Sequence, residues 1–219
     1  MSLSLVKIIE DVFVKEDVRV RKLFSKYLDL LFKWHDINNI VSSSDKDYVI
    51  RREIYDSYQL NNYLTGNSYS DIGTGGGIPG IIISILNPDK KVILIDRKST
   101  FIDFLMLAKA DLGLNNIEVI HKDVLKLPLR LNTDTVILKN FSNKIISKMN
   151  FENKFIYLMR LIKQSKQVSK AYMLTGSPVL ELSEECFREF NVSTHVIQSP
   201  FFETNRIVAE VKFENTINS

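Results

Sequence analysis

The sequence predicts an α/β fold: a seven-stranded, mostly parallel sheet whose last strand is antiparallel, preceded by an N-terminal helical cap. Three observations carry this. From Tyr69 onward, short apolar runs alternate with helical stretches, the pattern of parallel strands joined by crossover helices. A glycine-rich stretch follows the first such run. The last two runs, 192 to 198 and 206 to 213, are about seven residues apart, too few for the crossover that parallel neighbours need.

In chain order, residues 20 to 34 place apolar side chains at 20, 23, 24, 27, 30, 31 and 34, one face of a helix. Ser44 or Asp45 is a suitable cap for a second helix carrying Val49, Ile50, Ile54, Tyr55 and Tyr58, which Gly66 and Asn67 end. Residues 1 to 66 therefore form a helical cap, and 67 to 219 a second unit on which its apolar stripes pack. Strands are expected at 68 to 72, 91 to 96, 116 to 121, 134 to 139 and 170 to 175, besides the last two. Helices are expected at 79 to 87, 99 to 113, 151 to 165 and 178 to 190.

The 219 residues are 45% hydrophobic and 25% charged, enough to bury a core and inconsistent with a disordered chain. A single cysteine, Cys186, forms neither an internal disulfide nor a multi-cysteine zinc site, which fits a reducing compartment. His35, His121 and His195 lack metal-ligand spacing, and no metal is expected. No apolar run reaches the roughly 20 residues of a bilayer span, and Lys7, Glu10 and Asp11 interrupt the first residues as a signal peptide. The expected location is the cytoplasm, without a membrane partner, and the expected state is a monomer. The net charge of +3 is unevenly placed: eight basic groups from Lys139 to Lys170 face Glu152 alone. That segment is either a phosphate-contacting surface or a solvated lysine-rich helix with its loops.

The stretch from Asp71 to Gly80 holds five of the chain's eight glycines. Glycine admits positive φ and lets a ligand approach the backbone, and Pro79 suits a first helical turn. The spacing Gly75-x-Gly77-x-x-Gly80 fits a dinucleotide fingerprint, whereas Asp71-x-Gly73-x-Gly75-x-Gly77 fits an S-adenosylmethionine motif. Asp71 favours the second, because a carboxylate suits an ammonium and a sulfonium better than a pyrophosphate. Asp96 ends the next strand, where such folds hold ribose hydroxyls, and Asp123, with Val124 and Leu125, ends the third, suited to an adenine edge and an apolar wall.

These residues resemble the RsmG (GidB) family of methyltransferases, which modify a guanine N7 in small-subunit ribosomal RNA. The resemblance rests on 30 to 34 (LLFKW), 39 to 41 (NIV), Arg52 with Asp56 and Ser57, the loop from Asp71 to Gly80, 94 to 96 (LID), Phe104 and Leu105, and 205 to 207 (NRI). It implies a class I (Rossmann-like) methyltransferase fold, S-adenosylmethionine as methyl donor, and 16S ribosomal RNA or the small ribosomal subunit as partner. It places cofactor contacts at Gly73, Gly75, Gly77, Ile78, Asp96 and the turn Asp123, Val124 and Leu125. Lys139 stands at the family's arginine after the fourth strand, beside the cofactor, and Lys139 and Arg206 are the expected base or phosphate contacts.

The chain departs from the family at several positions. Lys139 replaces that arginine, Glu53 stands where the family has histidine, Thr100 and Phe101 replace a basic pair, and Thr175 replaces a lysine. Guanine N7 has a free lone pair and loses no proton, so the lack of an evident general base is consistent. Two other readings share the same residues: a nicotinamide-dependent oxidoreductase, and a methyltransferase relic that binds ribosomes without chemistry.

Overall fold

The computed structural model of the chain describes residues 3 to 126, 129 to 141 and 144 to 213. Helices α1 (Leu3–Val12) and α2 (Val18–Asn38) come first. Asp17 caps α2 by accepting from Val20 N–H at 2.8 Å, and Asn39 ends it in a left-handed conformation. The expected second cap helix is present in three parts: α3 (Lys46–Tyr48), a π-helical turn (Val49–Ile54) and α4 (Tyr55–Leu60). Asp45 is its cap, accepting from the N–H groups of Asp47 and Tyr48. The π turn, a wide turn that recurs at functional sites, carries Arg52 and Glu53 into the interior.

Seven strands form one sheet: β1 (Ser68–Ile72), β2 (Lys91–Asp96), β3 (Ile117–His121), β4 (Thr135–Lys139), β5 (Lys170–Thr175), β6 (Val192–Ile197) and β7 (Arg206–Lys212). Their order is β3-β2-β1-β4-β5-β7-β6. All neighbours are parallel except β7, which runs antiparallel to both β5 and β6, as the short connection before it requires. The central strands are buried on both faces, which is why they read as continuous apolar runs.

Helices α5 (Gly80–Leu86) and α6 (Ser99–Leu112) lie on one face of the sheet together with α1, α2 and α4. Phe24, Leu28 and Leu31 of α2 share a core with Ile81 and Phe104, so the apolar stripe of α2 is buried against α5 and α6. The other face carries α7 (Phe151–Lys163) and α8 (Glu184–Glu189).

Two local expectations are corrected. The single helix expected at 178 to 190 is a 3-10 turn (Ser177–Glu181) followed by α8. Ser183 starts a new helix by capping Cys186 N–H, and its own N–H and hydroxyl donate to Glu152, which holds the break open. Pro79 lies just before α5, after a cis peptide bond, and not inside its first turn.

No helix among the described residues is long and apolar enough to cross a membrane, and no group of three metal-ligating side chains occurs among them. Cys186 is buried, and burial pushes its thiol up to about 11. His35 is also structural, accepting from Val41 N–H at 3.2 Å.

Candidate active site

The sheet's order reverses direction between β1 and β4, and a crevice opens at the carboxyl ends of the strands around that point. The chain leaves β1 through Gly73, whose N–H donates to the Ile95 carbonyl at 2.8 Å and so ties the loop to the end of β2. Gly73 has φ 70, and a Cβ there would overlap the Phe141 ring, so both the turn and the close approach require glycine.

Asp71 fixes the shape of the loop from behind. Its Oδ2 accepts from Thr74 Oγ1 at 2.6 Å and from Gly80 N–H at 2.8 Å. Helix α2 supports the same loop, because the buried Tyr27 hydroxyl donates to the Gly76 carbonyl at 2.7 Å. Helix α2 therefore holds the glycine loop directly, a contact between residues 49 apart in sequence.

A cavity of about 220 Å³ lies over the loop, and Gly73, Gly75, Asp96, Phe101, Asp123 and Val124 are on its walls. Asp96 accepts from Gly75 N–H through Oδ2 and from Lys98 N–H through Oδ1, both at 3.0 Å, which aims its carboxylate across the mouth of the loop. Those bonds leave lone pairs free on both oxygens for further donors. A Cβ built on Gly75 meets nothing within 4 Å, so that backbone faces open space.

The structure thus brings five of the sequence-derived residues to one cavity: Gly73, Gly75, Asp96, Asp123 and Val124. The others lie outside its wall. Asp71 is 1% exposed and serves the loop, whereas the sequence pattern assigns it to a ligand's ammonium. Gly77 and Ile78 face the core, Gly77 against Ile81 and Leu105. Leu125 packs on the α7 side of the sheet. Two wall residues without a motif of their own are Asn140 and Phe141, which follow β4. Their only sequence signal is position, directly after a strand at the sheet's turning point.

Lys139 and Arg206, expected at the substrate, are both engaged with carboxylates of the π turn and α4. Lys139 forms an ion pair with Glu53, each side chain 9% exposed. Two separate departures from the family pattern are thus one contact. Arg206 donates from Nε to Asp56 at 3.3 Å, and Arg52 binds the Thr204 carbonyl at 2.7 Å and lies 3.4 Å from Asp56. Burial raises the Asp56 carboxyl although both arginines pull it down, and its Oδ1 has no hydrogen-bond partner among the described residues. Arg206 is the more open of the two arginines, its side chain 28% exposed.

Burial also pushes the Asp71 carboxyl up, to about 6, against the opposing pull of Thr74, Gly80 and Lys139. The folded chain therefore binds this proton more tightly than the unfolded one, and the contribution to stability is lost as pH rises from about 4 through 6. Asp71→Asn removes that slope. Between pH 4 and pH 7 the wild type is expected to lose ~2 kcal/mol relative to the variant, because a carboxyl that ionises near 6 in place of 4 forfeits roughly 1.36 kcal/mol for each pH step between the two values. Urea denaturation at both pH values measures it; parallel profiles would show that Asp71 titrates normally.

Residues 20–175 match the family model GidB, described as rRNA small subunit methyltransferase G. The chain is 42% identical over 110 residues to the Ribosomal RNA small subunit methyltransferase G of Hydrogenovibrio crunogenus, covering 50% of each chain. With the protein of that name from Fusobacterium nucleatum it is 28% identical over 209 residues, 93% of this chain and 87% of the relative. The match thus spans half the length of the first relative and most of the second.

Among solved structures, the S-adenosylmethionine-dependent methyltransferase SibL in its apo form superposes with a TM-score of 0.59 at 11% identity, covering 95% of this chain and 74% of its own. M. capricolum TrmK in complex with S-adenosyl-homocysteine gives a TM-score of 0.51 at 15% identity, covering 71% and 66%. These likenesses show the fold, that of Rossmann-like methyltransferases.

Proposed function

The chain belongs to the GidB family, rRNA small subunit methyltransferase G, and from that premise we propose that it transfers a methyl group from S-adenosylmethionine to N7 of a guanine in 16S ribosomal RNA. The observation that carries the proposal is the cavity where Asp96, the Gly73–Gly75 backbone and the Asp123–Val124 turn meet at the reversal of strand order.

The residues present fit a nucleoside bearing an amino-acid tail. Asp96 offers a carboxylate to the two ribose hydroxyls, and Val124 and Phe101 offer apolar walls for adenine, with Asp123 at its polar edge. The open backbone at Gly75 leaves room for the tail. When bound, S-adenosylmethionine supplies an electrophilic methyl: the N7 lone pair forms the new C–N bond as the C–S bond breaks toward sulfur, which leaves as a neutral thioether.

No proton moves, so the chain's residues have to place and not to titrate. Holding nucleophile and methyl in line can supply roughly 7 to 11 kcal/mol of the barrier. Asp71, Thr74 and Tyr27 hold the loop rigid for this purpose. In the same reading, residues 1 to 66 act as a cap on the methyl-transfer unit 67 to 219, and the protein works as a monomer in the cytoplasm, where its substrate is found. Lys139, paired with Glu53, reaches substrate only by leaving that pair, whereas Arg206, 28% exposed and beside Gly176, is the better placed of the two for a phosphate.

The test uses small and large ribosomal subunits from a strain lacking this protein, incubated with the purified chain and methyl-labelled S-adenosylmethionine. Label is expected in small-subunit RNA only, at a position that chemical cleavage identifies as N7-methylguanine. Tight S-adenosylmethionine binding with no label in either subunit would support the non-catalytic relic instead, and NADH binding in place of S-adenosylmethionine would support the oxidoreductase.

A further inference from the structure

A second cavity, of about 210 Å³, opens beside the first at the carboxyl ends of β4 and β5. Asn140 and Phe141 line both, so the two cavities share a wall. The chain leaves β4 through Asn140 at φ 52, a left-handed turn that asparagine tolerates better than most residues. Phe141 then lies against Gly73, between the glycine loop and the second cavity.

The other walls of this cavity include Phe151, Leu158 and Lys154 from α7, and Thr175 from the end of β5. Its surfaces are mostly apolar and aromatic, with Asn140, Thr175 and Lys154 as the polar residues among them. Phe151 stacks on Phe155, ring centroids 6.4 Å apart and planes 28° from parallel, which fixes its orientation. Lys154 is half-buried and finds no carboxylate among the described residues; burial alone lowers its pKa. Lys154 thus stands beside Phe151 and Phe155 on the cavity wall as a cation without a carboxylate partner among the described residues, open to an acceptor that enters.

We propose that this second cavity receives the acceptor's guanine base, stacked against Phe141 or Phe151, with Lys154 and Thr175 donating to its O6 so that the N7 lone pair stays free for the methyl. The inference rests on the methyl-transfer reading above and names the place of the acceptor within it. A planar heterocycle is what aromatic walls with a few convergent polar groups select. Guanine presents O6 beside N7 on one edge, so a donor that holds O6 also fixes the direction of the N7 lone pair. A cavity of this size admits one base and not a base pair, so the target guanine enters unstacked from its neighbours.

Phe151→Ala and Lys154→Met test the assignment, with Lys154→Arg as the conservative replacement. S-adenosylmethionine affinity, melting temperature, and kcat and KM for small subunits are measured on each. The expected result is S-adenosylmethionine affinity within about twofold of wild type and kcat/KM for methyl transfer lower by about tenfold or more in the first two variants. Lys154→Arg should recover much of the loss. Should Phe151→Ala fail to fold, Lys154→Met, which keeps the stem and removes the charge, decides the matter. Wild-type kcat/KM in both variants would overturn the inference and leave the methyl-transfer reading intact. A loss of S-adenosylmethionine affinity in step with the loss of transfer would also overturn it, because those residues would then shape the first cavity. Absence of transfer by the wild-type protein would instead overturn the function on which the inference rests.

Discussion

Glu53→Ala is expected to lower the unfolding free energy by about 3–5 kcal/mol, the usual cost of stranding one charge of a buried ion pair. Glu53 and Lys139 are each 9% exposed, and Lys139 ends β4, directly before the two residues that wall both cavities. Removing the carboxylate leaves an ammonium with little water around it, close enough to Asp71 to be drawn toward the glycine loop. The expected fall in melting temperature is on the order of 10 °C for a domain of this size.

The double replacement Glu53→Leu with Lys139→Met should recover most of that stability, since an apolar pair of similar volume removes both desolvation penalties. Urea denaturation of the wild type, Glu53→Leu, Lys139→Met and the double variant measures the coupling. A single-variant loss under about 1 kcal/mol would place the pair among exposed ion pairs, which contribute that little.

The second large effect is on ligand binding. Asp96→Ala is expected to weaken S-adenosylmethionine binding about 10- to 100-fold, with a small change in stability. The carboxylate is 7% exposed and already orders Gly75 and Lys98 through two backbone N–H groups. Its loss removes charge-assisted bonds to ribose, worth about 1.5–3 kcal/mol, and frees the loop that frames the cavity. Asp96→Asn, which keeps one acceptor oxygen, should fall between the two. Isothermal calorimetry reads all three, and an unchanged affinity in Asp96→Ala would remove the ribose assignment.

Most of the fold was legible in the sequence because this architecture writes itself locally. Strands buried on both faces are short apolar runs, and the turn residues between them are glycine, asparagine and proline; the seven strands fall within a residue or so of their expected bounds. The reversed β7 followed from the length of one connection. The break before α8 was not legible, because it depends on Glu152, 31 residues earlier, reaching back to Ser183.

The candidate site was legible to the same depth. Asp96, Gly73 and Gly75 could be read because strand ends and glycine spacing are local signals, and parallel strands bring their ends to one edge. What joins distant segments left no such trace. Tyr27 under the loop, Glu53 against Lys139 and Lys154 in the second cavity are each a contact across the fold, made by residue types that occur on any helix. Lys139 and Glu53 were visible as two departures from a family pattern; that they face each other over 86 positions is a property of the packing.

The central claim is that the cavity over Gly73 and Gly75 is the S-adenosylmethionine site, and a crystal structure of the chain with S-adenosylhomocysteine tests it most directly. The ribose hydroxyls are expected on the Asp96 carboxylate, with adenine against Phe101 and Val124 and the tail over Gly75. A nucleoside seated elsewhere, or one in this cavity that makes no contact with Asp96, would contradict the account.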